Sequence, residues 1–92
     1  MGKITDIWKE NLAESLKIPR DLAFQDAVIT LTGDAEILLE NYRGILEYSQ
    51  TQILVQTNHC RIRIQGEKLE VLYYTNDEMK VSGKFSGISY ER

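Results

Sequence analysis

The side chains best suited to chemistry in this chain of 92 residues are its single histidine and its single cysteine, His59 and Cys60. A structural zinc site needs about four such ligands, so this pair falls short of one. A catalytic thiol needs a base that a third group orients, and no aspartate–histidine arrangement of that kind is visible near Cys60. The sequence therefore favours a structural or incidental role for both residues and predicts no metal and no cofactor.

Acidic residues could carry general acid–base catalysis if two of them converged in a pocket. The acids nearest to predicted turns are Asp34, Glu40 and Glu47. Their spacing shows no convergence, and no glycine-rich phosphate-binding loop precedes a helix. The sequence accordingly predicts that the protein is not an enzyme, and no residue is assigned a catalytic role.

The formal charge is −3 at pH 7, and the lysines and arginines are scattered along the chain. The nearest approach to a basic patch is Arg61 with Arg63, and Glu67 and Glu70 lie close enough in sequence to neutralise them. Surfaces that bind DNA or RNA concentrate positive charge. No nucleic-acid partner is therefore expected.

Length and composition fit one small domain, with 42% hydrophobic and 27% charged residues. No apolar run approaches the roughly 20 residues that cross a bilayer, so no membrane span is expected. The N-terminus lacks the basic and then apolar pattern of a secretory signal. A lone cysteine cannot form an internal disulfide. These features predict a cytoplasmic protein in a reducing compartment.

An amphipathic helix is predicted over residues 4–18, within an N-terminal region of residues 1–27 that also includes a linker. Its apolar residues recur every three or four positions; they are Ile4, Ile7, Trp8, Leu12 and Leu16. Pro19 ends the helix because a proline disfavours helical geometry in the residue before it. An isolated helix of this length is marginal in water. Its apolar stripe is therefore expected to pack either on the rest of the chain or on a partner.

An all-β region with a repeated pattern is predicted over residues 28–92. Residues 29–33, 62–66 and 79–83 each alternate apolar and polar side chains, end in glycine and lead into a second apolar run. A degenerate copy, with Ser49 in place of glycine, lies between the first two. If each glycine is a turn, the region forms about eight short strands in a repetitive meander. A plain series of amphipathic hairpins fits the same pattern.

The alternation predicts one apolar and one polar face for these strands. Because one helix cannot cover eight strands, the sheet is expected to curl into a small sandwich, an open barrel or a solenoid-like stack. The residues predicted on the buried face are Ile29, Leu31, Ile37, Leu39, Ile45, Ile53, Val55, Ile62, Ile64, Leu69, Val71, Met79 and Val81. The apolar residues predicted on the outer face are Leu38, Leu46, Tyr48, Leu54, Leu72 and Tyr74. These outer residues are candidate contacts for the helix or for another subunit. Alternatively, they are isolated apolar residues of the kind that most protein surfaces carry.

Two predicted turns interrupt the first half of the β region. The block Asn41, Tyr42, Arg43 and Gly44 suits a type I turn that joins a hairpin and closes with Gly44 in the left-handed conformation. Asn58 with His59 suits a tight two-residue turn. The first block is either a contact surface for a partner or a turn with demanding geometry.

The sequence resembles the YabP/YqfC family of sporulation proteins, and its YqfC branch in particular, over nearly the whole chain. The residues that carry the resemblance lie at 18–21, 29–33, 40–48, 62–69 and 81–83, and residues 40–44 are the most specific of them. The chain departs from the family pattern at Tyr42, where histidine is common, and at His59, where glycine is common. Tyrosine cannot replace histidine as a base near neutral pH.

The resemblance implies a small non-enzymatic protein made in the mother cell during endospore formation in a Gram-positive bacterium. It also implies a partner, a membrane-anchored sporulation protein of the YqfD type. The residues proposed for partner binding are Trp8, Leu12 and Leu16 in the helix, and Asn41, Tyr42, Arg43 and Gly44 in the turn block. The alternative hypothesis is a homo-oligomer or filament that assembles through open sheet edges.

Overall fold

A computed structural model describes residues 25–92 of the chain. The helix predicted over residues 4–18, with Trp8, Leu12 and Leu16, lies outside the described residues. The all-β prediction for the remainder is confirmed, because every regular element of residues 25–92 is a strand.

Six antiparallel strands form one sheet. Their bounds are β1 Val28–Thr32, β2 Glu36–Glu40, β3 Tyr42–Tyr48, β4 Gln52–Thr57, β5 Arg61–Tyr74 and β6 Glu78–Glu91. The order across the sheet is β1-β2-β6-β5-β4-β3, so β1 and β3 are the edge strands. The strands that follow each other along the chain are paired, except at the step from β2 to β3.

The prediction of about eight short strands is wrong, because two of the predicted glycine turns lie inside strands. Gly66 is part of β5 and Gly83 is part of β6, and each of these strands is 14 residues long. The two strands pair along their length, with register shifts on both sides of Gly66 and Glu67. Extra residues of this kind bend a strand and increase its twist. The glycines therefore mark a bend shared by two long strands.

The bend divides the sheet into two halves that share one core. The first half contains β1, β2, the start of β6 and the end of β5; the second contains β3, β4, the start of β5 and the end of β6. A single cluster of buried side chains draws on β2, β3, β4, β5 and β6. The sheet thus curls over its own apolar face, as expected, and forms one bent antiparallel sheet rather than a solenoid-like stack.

Two tyrosines predicted on the outer face lie on the core face. Register shifts in β3 and β5 place Tyr48 opposite Ile53 and Tyr74 opposite Met79, and both partners are buried.

Two other residues lie on the predicted face but differ from the prediction in exposure. Leu31 is 56% exposed, because the edge strand β1 has no neighbour on its outer side. Leu54 was predicted on the outer face and is only 4% exposed. It lies in β4 between Glu47 of β3 and Arg63 of β5, and these two side chains meet in an ion pair across it.

The backbones of β5 and β6 approach each other closely at the bend. A Cβ atom placed on Gly66 would overlap the carbonyl oxygen of Lys84 and lie 2.9 Å from Cδ2 of Leu69. Gly83 has a φ of 143°, which side chains rarely adopt, and a Cβ atom there would lie 2.9 Å from the carbonyl oxygen of Lys68. Both positions therefore require glycine.

An ionic cluster joins three strands on the outer face. Nε of Arg63 in β5 donates a hydrogen bond of 2.6 Å to Glu91 in β6, and Nη1 of Arg63 lies 3.5 Å from Glu47 in β3. The hydrogen bond from Arg63 lowers the pKa of the Glu91 carboxyl below its ordinary value. The same bond raises the pKa of Arg63. The predicted partners of this arginine, Glu67 and Glu70, are not the ones that neutralise it.

Gly66→Ala is expected to lower the free energy of unfolding by about 2–3 kcal/mol, because the new methyl group overlaps backbone that cannot move freely. Gly44→Ala is the matched control, since nothing lies within 4 Å of a Cβ atom at that position. Its effect should stay within about 0.5 kcal/mol. Urea denaturation of both variants measures the difference. Equal effects would show that the bend does not depend on the close approach.

Glu91→Gln is expected to destabilise the protein at neutral pH and to lose this effect in acid. The folded-state pKa of Glu91 is depressed, so its stabilisation is present above the ordinary value of 4.5 and disappears as the pH falls through the lower folded value. Melting temperatures measured from neutral to acidic pH test this. Glu67→Gln is the control, because Glu67 makes no ion pair with any of residues 25–92. A difference that does not change with pH would contradict the ionic origin.

Candidate functional site

A single residue, Asn41, joins β2 to β3 at a corner of the molecule. These two strands are not paired, and they occupy the second and sixth places in the sheet. One residue advances the chain by only about 3.8 Å, so the curl of the sheet must bring the two strand ends together. Asn41 has a φ of 65°, in the left-handed region that asparagine tolerates better than most residues.

The predicted hairpin at residues 41–44 is therefore wrong. Gly44 lies within β3 opposite Gln56, and its φ is not positive. Asn41 is the residue with left-handed geometry. The physical reason is that β2 already has β1 and β6 as neighbours, so β3 has to leave it and pair with β4.

Two hydrogen bonds from Asn41 fix the corner. Its backbone N–H donates to the carbonyl oxygen of Asp77, in the turn between β5 and β6, over 2.7 Å. Its side-chain Nδ2 donates to the carbonyl oxygen of Asp26, just before β1, over 2.9 Å. The corner thus connects two segments that are distant in sequence.

Tyr42 anchors the start of β3 in the core. It is buried, and its hydroxyl donates a hydrogen bond to the carbonyl oxygen of Thr75. Burial raises the pKa of the Tyr42 hydroxyl above its ordinary value, and the nearby Tyr74 and Asp77 raise it further. At neutral pH the hydroxyl is consequently protonated and acts as a donor.

Arg43 points outward from the residue next to this buried tyrosine. A register shift between Tyr42 and Gly44 marks an irregularity at Arg43, where the side chain is exposed. Nη1 of Arg43 donates to Oδ1 of Asn58 over 2.7 Å. Asn58 in turn donates to both the backbone and the side-chain oxygen of Gln25, at 3.1 and 3.2 Å. Within residues 25–92, no carboxylate oxygen lies within 4.0 Å of the Arg43 guanidinium.

The corner opens into two adjoining clefts. The first has a volume of about 410 Å³ and is lined by Gln25, Asn41, Tyr42, Arg43, Asn58, Asn76 and Asp77. The second has a volume of about 360 Å³ and is lined by Tyr42, Arg43, Gly44, Ile45, Tyr74, Thr75 and Asn76. Arg43 is common to both, and Tyr74 at the second is 67% exposed.

The structure brings the four predicted residues of the turn block to one place, and it adds partners that the sequence did not indicate. Gln25, Asn76 and Asp77 reach the cleft from segments far apart in the chain. No local pattern predicts that they meet at this cleft, because their proximity depends on the pairing of distant strands and on the curl of the sheet. Asn58 was recognised as a turn residue, and its side chain bonds to Arg43.

The side chains at the corner are suited to binding polar groups. The first cleft carries four carboxamides, one guanidinium and one carboxylate. Carboxamides both donate and accept hydrogen bonds, as a peptide backbone does. Such a site can bind an extended polar segment of another protein.

The histidine and cysteine lie at the turn between β4 and β5. The N–H of Thr57 donates to the carbonyl oxygen of Cys60 over 2.9 Å, which confirms the predicted two-residue turn at Asn58 and His59. The Thr57 hydroxyl donates to the same oxygen over 2.7 Å and accepts a hydrogen bond from the N–H of Cys60. Nε2 of His59 lies 3.4 Å from Oδ1 of Asp26. Residues 25–92 contain no group of three or more potential metal ligands.

Comparisons with known proteins agree with the resemblance seen in the sequence. A family model described as the YabP family matches residues 25–92. A Bacillus subtilis (strain 168) protein, named "Uncharacterized protein YqfC", is 26% identical over 90 residues, which cover 98% of this chain and 97% of that protein. No solved structure matches the chain. Among the described residues there is no helix long and apolar enough to span a membrane.

Asn41→Ala is expected to lower the free energy of unfolding by about 2 kcal/mol, from backbone strain at positive φ and the lost hydrogen bond to Asp26. Asn41→Gly loses the same hydrogen bond without a Cβ atom, so its cost should be nearer about 1 kcal/mol. Chemical denaturation of the two variants compares them. If alanine proved no worse than glycine, the left-handed geometry would not be what selects asparagine here.

Proposed function

Because the chain belongs to the YabP family, we propose that it is a sporulation protein that acts as an interaction module and not as an enzyme. The described part of the chain supports this with a continuous six-stranded sheet and an exposed polar corner. Binding at the corner requires no proton transfer, and the neighbouring Tyr42 hydroxyl has a raised pKa that keeps it protonated.

The observation that carries the proposal is the exposed pair Arg43 and Tyr74 at the second cleft. Tyrosine and arginine are enriched among the residues that supply most of the binding energy in protein interfaces. Arg43 is held by Asn58 but has no carboxylate partner within residues 25–92. A carboxylate on a partner would complete that interaction, since guanidinium–carboxylate pairs are strong and directional.

The partner that the family suggests is a membrane-anchored sporulation protein of the YqfD type. In this proposal the chain lies in the mother-cell cytoplasm and reaches the membrane through that partner. Trp8, Leu12 and Leu16 remain a second predicted contact. They lie outside the described residues, so the proposal relies on the corner.

Self-assembly is the second candidate function, and the edge strand β1 favours it. Edge strands in soluble proteins usually carry charges, prolines or bulges that prevent pairing with another chain. β1 has the sequence VITLT, which contains none of these charges or prolines, and its register with β2 is regular. The other edge, β3, carries Arg43 and Glu47 and two register shifts.

The test is light scattering after size exclusion, with the full chain alone and mixed with the soluble part of the YqfD-type protein. We expect a monomer that forms a defined complex. Arg43→Ala and Tyr74→Ala should each weaken the complex by about 2 kcal/mol, or roughly thirtyfold in Kd. Lys84→Ala removes an exposed charge at the bend, away from the corner, and should leave Kd unchanged.

Three results would oppose this function. A complex that tolerates both corner substitutions would remove the corner from the interface. A large assembly formed without the partner, and stable in high salt, would instead support pairing through sheet edges. No complex and no assembly would contradict both candidates.

A further inference from the structure

The curled sheet is open along one side, between β1 and the end of β6. We call this opening the β1–β6 mouth and define it by Ile29, Leu31, Phe85, Ile88 and Tyr90. At one end, Asp26, Ala27 and Ile29 line a cleft of about 420 Å³ together with Tyr90. At the other end, Leu31 lines a cleft of about 290 Å³ with Phe85 and Ile88. The two clefts follow each other along the same pair of strands.

The side chains at the mouth belong to the core face of the sheet. Leu31 lies opposite Ile37, and Tyr90 lies opposite Ile62. Residues paired across antiparallel strands share a face, and both Ile37 and Ile62 are buried in the core. Leu31 and Tyr90 are nevertheless 56% and 61% exposed. The core is therefore uncovered at this side.

The opposite side of the curled sheet is bridged instead. There β3 approaches the end of β5, and the hydroxyls of Tyr42 and Tyr48 make hydrogen bonds to the backbone of Thr75 and Val71. Within residues 25–92, no hydrogen bond joins β1 itself to the end of β6. Polar contacts cross at the two ends of the mouth: the N–H of Phe85 donates to the carbonyl oxygen of Asp34, in the turn after β1, over 2.9 Å, and Nε2 of His59 lies 3.4 Å from Oδ1 of Asp26, before β1. Of the two sides, the mouth is the one that admits a further element.

The described chain begins at Gln25, next to Asp26 at one end of the mouth. The 24 preceding residues therefore enter at this point. Residues 19–24 can reach at most about 20 Å, and residues 4–18 would span about 22 Å as a helix. The five residues of β1 extend about 17 Å. The predicted helix is thus long enough to cover the mouth and is attached at its rim.

We infer that residues 4–18 of the same chain cover the β1–β6 mouth, with Trp8, Leu12 and Leu16 packed on Leu31, Ile88 and Tyr90. This assigns the apolar stripe of the predicted helix to an intramolecular contact. The inference holds whether or not the chain binds a membrane-anchored partner. It also explains how a short edge strand of uncharged residues can be kept from pairing with other molecules.

A second copy of the chain is the competing occupant, and the size of β1 argues against it. Stable protein interfaces bury about 1,200–2,000 Å², whereas β1 offers an edge of five residues. A tethered segment does not pay the full entropic cost of association, because its local concentration is high. The tether at Gln25 therefore favours the chain's own helix.

The test uses the fluorescence of Trp8, the only tryptophan in the protein. In the full chain at low concentration, we expect Trp8 to have blue-shifted emission and protection from acrylamide quenching. Leu31→Gln should reduce the docked-to-undocked ratio by roughly tenfold, from the loss of one leucine contact. Leu46→Gln is the matched control, since Leu46 is likewise half exposed, at 50%, and lies in β3 at the other edge of the sheet, and it should leave quenching unchanged. Tyr90→Gln provides a second mouth variant should Leu31→Gln fail to fold by circular dichroism.

Each alternative result overturns the inference. Free access of acrylamide to Trp8 in the unaltered protein would mean that the helix does not dock. Equal loss of protection in Leu31→Gln and Leu46→Gln would place the contact elsewhere. Protection that appears only as protein concentration rises, together with a dimer in light scattering, would assign the mouth to a second copy.

Discussion

The close approach of two backbones at the bend supports the rest of this structure. β5 and β6 are each 14 residues long and run through both halves of the sheet. They bend together where Gly66 approaches the backbone of Lys84 and Gly83 approaches the backbone of Lys68. No side chain fits between the backbones there, so the strands can fold over without separating. The bend lets one continuous sheet bury its apolar face against itself, which a flat sheet of six strands could not do.

The polar corner is a consequence of that bend. Pairing of β2 with the start of β6 places the turn between β5 and β6 at the end of β2, where Asp77 receives the N–H of Asn41. The curl of the sheet brings the edge strand β3 to the same turn, where Thr75 receives the hydroxyl of Tyr42. Backbone atoms supply the acceptors at both places. The position of Arg43 therefore depends on the backbone of the turn between β5 and β6 and not on the side chains of that turn.

Alternation of apolar and polar residues was sufficient to predict much of the core, including Ile37, Leu39 and Val81. A strand with one buried and one solvent-exposed face requires this alternation, because successive side chains point to opposite faces. It could not distinguish a glycine that makes a turn from one that permits close contact, so Gly66 and Gly83 were assigned to turns. The prediction of a hairpin turn at Asn41 was wrong for a related reason. A sharp corner between unpaired strands and a hairpin turn use the same residue types, and only the long-range pairing of β2 with β6 separates them. The contribution of Gln25 and Asp77 to the corner had no local signal at all.

The one-residue connection at Asn41 has a consequence for synthesis of the chain on the ribosome. β3, β4 and the start of β5 can pair as they emerge, because each lies beside its neighbour in sequence. The hairpin of β1 and β2 has no such neighbour, since Leu38 lies opposite Lys80 in the last strand. An isolated two-stranded hairpin is at best marginally stable in water. The β1–β2 hairpin therefore cannot complete its pairing, and its apolar face stays accessible to chaperones, until β6 has left the exit tunnel.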